Sequence, residues 1–155
     1  MIQVAVIMGS ASDQDVMARA SKMLDYFGIS YEATILSAHR NPDRLESYIR
    51  EAEKKGVRVI IAAAGMAAHL AGAVASRTTL PVIGVPLAEG DLHGMDALLS
   101  TVQMPSGIPV ATMAIGKAGV ENAAVMAARI LALTEPELKS KLDEYMKHGS
   151  RIDSK

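Results

Sequence analysis

The segment EATILSAHRNPDR, Glu32 to Arg44, carries an apolar run straight into a histidine and an arginine, with a proline two residues further on. An imidazole can give and take a proton near neutrality, and a guanidinium can grip a carboxylate or phosphate through two hydrogen bonds. His39 and Arg40 follow Thr34, Ile35 and Leu36, which read as the tail of a buried strand, with Ser37 and Ala38 leading into the turn. The bland alternatives are a solvated or structurally bonded loop histidine, and an Arg40 tied in an ion pair to Asp43 or Asp13.

Two other stretches hold groups of the same kind. MGSASD joins an apolar run to a helix-period segment, and the hydroxyls of Ser10 and Ser12 with the N–H groups of a helix start would cradle a phosphate without a lysine. Otherwise Ser12 or Asp13 simply caps the helix. The glycine and lysine spacing of a P-loop or dinucleotide fingerprint is absent. AAAGMAAHL sets Gly65, Ala68 and Leu70 around His69. Such small residues let a ligand approach the main chain, or let a helix pack closely on a strand. His69 falls where a helix cap or first-turn residue belongs. GVPLAEGDLHG brings Glu89, Asp91 and His93, as a flap over a site or as a solvated loop. His39, His69 and His93 are widely spaced with no acidic ligand set between them, which argues against a metal site.

The elements that must position these groups are legible from periodicity. VAVIM, EATIL, VRVIIAAA, PVIGVP and PVATMAI are β-branched or apolar runs separated by helix-period stretches. That alternation predicts a parallel sheet covered on both faces. Asp13 to Gly28 reads as a helix with Val16, Ala20, Met23, Leu24 and Phe27 inward, and a second helix opens at Pro42 and Asp43 and ends before Gly56. The C-terminal segment reads as two helices parted at Pro136. The expectation is a single α/β domain over residues 1–155, with the last helix and tail from about 135 to 155. Its form is a flavodoxin-like three-layer sandwich with a five-stranded parallel sheet in the order 2-1-3-4-5. In that order the loops at 9–13, 37–42 and 64–69 meet at one crevice at the carboxyl edge, where open α/β sheets hold ligands.

Bulk composition narrows the partners. Sixteen Lys and Arg against seventeen Asp and Glu leave a net charge of -1, so no global basic field recommends nucleic acid or an anionic membrane. With no cysteine there is no disulfide, thiolate ligand or cysteine nucleophile. No apolar run approaches the ~18 residues of a membrane span, and the N-terminus lacks the basic flank of a signal peptide, so the chain is expected in the cytoplasm. Aromatic residues make up 3% with no Trp, too few to stack on a flavin ring, and no aspartate ends the third strand to accept a phosphoryl group. Ten methionines beside one Phe read as core and interface filling.

MGSASD, SAHRNPDR, AAHLAG, TTLPVIGVP and LLSTVQMPSGIPVATMAIGKAG, in this order and at these distances, resemble the PurE family of de novo purine biosynthesis, from about Val4 to Leu133. The resemblance implies a flavodoxin-like fold, a homo-octamer with sites near subunit interfaces, and isomerisation of N5-carboxyaminoimidazole ribonucleotide to the 4-carboxy isomer without metal or other cofactor. The His-Arg pair at 39 and 40 is similar to the mutase class; in the class that carboxylates aminoimidazole ribonucleotide directly, lysine generally follows the histidine. On this resemblance His39 is catalytic, Ser10, Ser12 and Asp13 hold phosphate and ribose, and Arg40 binds the ligand. Ser37, Ala38, Gly65, Ala68, His69 and Leu70 line the substrate. The family commonly writes its third loop GAGGAAHLPG, where this chain has Ala63, Met66 and Ala71. A left-handed backbone at 66 would strain methionine.

Overall fold

The computed structural model describes residues 1–152. Its elements are β1 (Val4–Met8), α1 (Gln14–Phe27), β2 (Tyr31–Ile35), α2 (Pro42–Lys54), β3 (Val59–Gly65), α3 (Leu70–Ala75), β4 (Val82–Leu87), α4 (Met95–Val102), β5 (Ala111–Thr112), α5 (Lys117–Ala132) and α6 (Pro136–Lys147). All strand pairs are parallel and the order is β2-β1-β3-β4-β5, as the alternation of strand and helix predicts.

Side chains alternate across the sheet, so each strand feeds two cores. Val4, Val6 and Met8 of β1 join Val59, Ile61 and Ala63 of β3 under α1, α5 and α6, which contribute Leu24, Phe27, Ala124, Leu131 and Tyr145. Ala5, Ile7, Ile60 and Ala62 face the other way, onto Leu45 and Ile49 of α2 and Leu70 and Val74 of α3. The first helix closes as expected: Gly28 at φ +71° lets its N–H reach Asp25 O and that of Ile29 reach Leu24 O. Gly119 is required where α5 crosses the chain entering it, since a Cβ there would lie 1.7 Å from Ala114 O.

Two strand expectations are corrected. EATIL is an edge strand and not a buried one, with Ile35 39% exposed, because the topology leaves β2 with β1 as its single neighbour. PVATMAI yields only the two paired residues of β5. Gly84 O and Pro86 O still accept from Met113 and Gly116 N–H. Proline at 86, however, has no N–H to return on that side, so the ladder stops beyond Gly84.

Candidate active site

The carboxyl ends of β1, β2, β3 and β4 release their loops on one edge, and these loops wall an open crevice. The first loop supplies Gly9, Ser10, Ser12 and Asp13, the second Ser37 to Arg40, and the third Ala64 to Ala67 with His69 and Leu70; Glu89 closes the rim from beyond β4. Nearly every residue singled out in the sequence is therefore brought together. Ala68 is not on this wall: it is buried, and its N–H donates to Ser100 Oγ at 2.9 Å, fixing the third loop to α4. Of Glu89, Asp91 and His93 in the loop after β4, only Glu89 lines the crevice.

The first loop is a short 3₁₀ turn, Ala11–Asp13, running into α1. Asp13 stands at the cap position of α1, but its side chain does not cap that helix. It turns back, Oδ2 accepting from Ser10 N–H at 3.0 Å, while Ser10 Oγ accepts from Ser12 N–H at 3.3 Å. This reciprocal box spends the N–H groups of Ser10 and Ser12 inside the turn. What faces outward is the hydroxyl pair, Ser12 Oγ being 3.0 Å from Ser10 Oγ, at the positive end of α1. Burial pushes the Asp13 carboxyl above its ordinary range; the Ser10 N–H opposes this, and the charge of Glu89 adds to it.

In the second loop Ser37 organises the turn, accepting from Arg40 N–H on its Oγ at 3.2 Å and from Asn41 N–H on its carbonyl at 2.9 Å. Pro42 then opens α2 with its φ already set. Between these anchors His39 and Arg40 are exposed. Neither Asp43 nor Asp13 pairs with Arg40: among the described residues no ion pair engages its guanidinium.

His69 occupies the cap position of α3 yet makes no side-chain cap. Its Nδ1 lies 2.7 Å from Nε2 of His39, the rings edge to face at 88°. Sequence alone offered no sign of this contact, since thirty residues and two elements separate the partners. Met66 is left-handed, at φ +54°, and 58% exposed on the rim. The strain that a left-handed backbone imposes on methionine is thus present, and its side chain rests against Gly90.

Ligand-facing groups confined to the carboxyl edge of a doubly wound parallel sheet place the chain among flavodoxin-like α/β enzymes that act on small molecules. Comparison with known proteins takes this further: the chain belongs to the AIR carboxylase family, whose model matches residues 3–151. A protein of Pyrococcus horikoshii named N5-carboxyaminoimidazole ribonucleotide mutase is 57% identical over 148 residues, covering 96% of this chain and 82% of that protein. One of the same name from Thermotoga maritima is 54% identical over 151 residues, 97% of this chain and 87% of that one. The crystal structure of Treponema denticola PurE superposes with a TM-score of 0.87 at 30% identity, covering 97% of this chain and 92% of that one.

Proposed function

We propose that this chain is an N5-carboxyaminoimidazole ribonucleotide mutase, moving a carboxyl group from the exocyclic nitrogen of an aminoimidazole ribonucleotide to the ring carbon. The observation that carries the reading is the name shared by relatives 57% and 54% identical over nearly the whole chain. The crevice is consistent with it, since His39 and Arg40 sit within one concavity with the Ser10 to Asp13 turn.

The chemistry needs one group that both gives and takes a proton. His39 as imidazolium protonates the carbamate nitrogen as its bond to the carboxyl carbon breaks, leaving carbon dioxide and the free amine. The electron-rich ring carbon then attacks the retained carbon dioxide, and neutral His39 removes the proton from that carbon. The proton account closes with no net change. Ala38, Ala64, Gly65, Ala67 and Leu70 supply a wall of small and apolar groups against which a neutral gas molecule is held. Arg40 and the start of α1 with Ser10 and Ser12 balance the anionic groups of the ligand. His69, on the same wall, contacts His39.

Self-association into the homo-octamer implied by the family resemblance is supported by Leu92, in the loop before α4, and by Met95, Leu99 and Val102 at helix spacing along it, all exposed. Apolar rows of this kind mark interaction surfaces. A cytoplasmic location fits a metabolic enzyme of this kind. Among the described residues no helix is long and apolar enough to cross a membrane.

The deciding assay follows freshly made N5-carboxyaminoimidazole ribonucleotide in bicarbonate-depleted buffer, with His39→Asn as control. Rapid formation of the 4-carboxy product, lost in the variant, is the expected result. Product formed only from aminoimidazole ribonucleotide and high bicarbonate would make the enzyme a direct carboxylase instead.

A further inference from the structure

Glu89 is a negative charge placed where an anionic ligand is to be received. Its position is built: a Cβ at Gly65 would meet Glu89 Cβ and Cγ at 2.6 and 2.7 Å, so the stem of Glu89 fills the space that glycine leaves. On its far side Gly90, at φ +73°, lies against the side chain of Met66. The loop after β4 is thereby seated on the loop after β3, and the Glu89 side chain is held on the wall it shares with Asp13. Among the described residues no hydrogen bond or ion pair engages its carboxylate. Asp13, in turn, accepts from Ser10 N–H on Oδ2, with the Ser12 hydroxyl also bonded to its carboxylate, which leaves it acceptor capacity for a further donor.

Two carboxylates without a cation between them repel each other and any phosphate nearby, unless the ligand brings hydrogen-bond donors to them. With the phosphate at Ser10 and Ser12, the next donors along a ribonucleotide are the vicinal hydroxyls of its sugar. Resting on the reading of the substrate given above, we propose that Glu89 is a specificity-determining residue that accepts a hydrogen bond from one of these hydroxyls, Asp13 taking the other. A carboxylate accepts and cannot donate, so it favours a hydroxyl and leaves a deoxy position unserved.

The test is calorimetric binding of 4-carboxy-5-aminoimidazole ribonucleotide and its 2′-deoxy and 3′-deoxy analogues to the full chain, as wild type, Glu89→Ala and Glu89→Gln. Glu89 is exposed, and thermal unfolding verifies that both variants are folded. The expected wild type prefers the ribonucleotide over one deoxy analogue by about tenfold or more, the scale of one hydrogen bond to a charged group. In Glu89→Ala that preference falls below about threefold while the preference at the other position persists, and Glu89→Gln, whose amide oxygen still accepts, keeps most of it. A wild type with no preference, a ratio unchanged in Glu89→Ala, or equal tightening of all three ligands in that variant overturns the assignment. Failure of the wild type to bind any of the three overturns the substrate reading beneath it as well, which separates the two failures.

Discussion

Nε2 of His39 and Nδ1 of His69 lie 2.7 Å apart, so a single hydrogen stands between two imidazoles. If His39 is to act as an acid, both its nitrogens carry hydrogen, and Nδ1 of His69 must then be the acceptor on a neutral ring. The pair holds one positive charge at most. On the proposed function His39 does the proton chemistry and His69 accepts from it. His39→Asn is expected to keep ligand affinity while lowering turnover by about a thousandfold, within the range of general acid–base effects. His69→Asn should retain turnover within about tenfold of wild type, because the titrating group survives. Initial rates across pH check this, and equal inactivation by both substitutions would show that the proton is shared.

Among the described residues Arg40 has no ion pair to lose. Arg40→Ala should leave the thermal unfolding midpoint unchanged while weakening nucleotide binding by about tenfold to a hundredfold, as expected when a charge-assisted contact is removed. Arg40→Lys keeps the charge but not the fork, and should recover part of that loss. Binding titrations alongside melting curves distinguish this from a structural role, in which stability would fall first.

What the sequence revealed and what it concealed divide along a physical line. The strand order and the shared crevice follow from alternation of periods, because a parallel sheet must be covered on both faces and its ligand loops leave at one edge. Ser10, His39, Arg40 and Gly65 come to line that crevice because each sits just past an apolar strand run. The buried reading of Ile35 failed because an edge strand and a central one share their apolar composition. PVATMAI shrank to β5 because the limit lies in Pro86 of its neighbour, not in itself. Asp13 turns its carboxylate back to Ser10 N–H instead of capping α1, and residue types alone do not distinguish the two. Contacts such as His39 with His69, or Glu89 over Gly65, arise only when loops from different strands are brought side by side.

Asp13 costs stability in its charged form. Burial, with the charge of Glu89, holds its carboxyl above the ordinary 3.8, so the native state keeps a proton that the unfolded chain has already released. Stability from this group therefore falls as pH rises through the window between 3.8 and the raised value, and the whole penalty is present at neutral pH. Asp13→Asn removes the charge and keeps an acceptor for Ser10 N–H. The variant should melt higher at neutral pH, by about 2–4 °C for each kcal/mol relieved, with the gap closing as pH is lowered. It should also bind nucleotide less well. A lower midpoint for Asp13→Asn at neutral pH would mean that the charged cap is worth more than its desolvation.

Met66 offers the clearest stability test, because its sign runs against ordinary expectation. In most settings alanine is more stabilising than glycine by about 0.5–1 kcal/mol, since glycine gives up more backbone freedom on folding. At φ +54° any side chain crowds the carbonyl that follows, at a cost of about 1–2 kcal/mol. Glycine at 66 escapes that cost and alanine does not, so Met66→Gly should unfold at a higher temperature than Met66→Ala. Both lose the packing of the methionine side chain on Gly90, which therefore cancels between them. The methionine is half-exposed, so little core burial is lost in either variant. Paired melting curves of the two variants decide the matter, and an alanine variant more stable than the glycine one would mean that the loop relaxes out of its left-handed turn when the side chain is cut back.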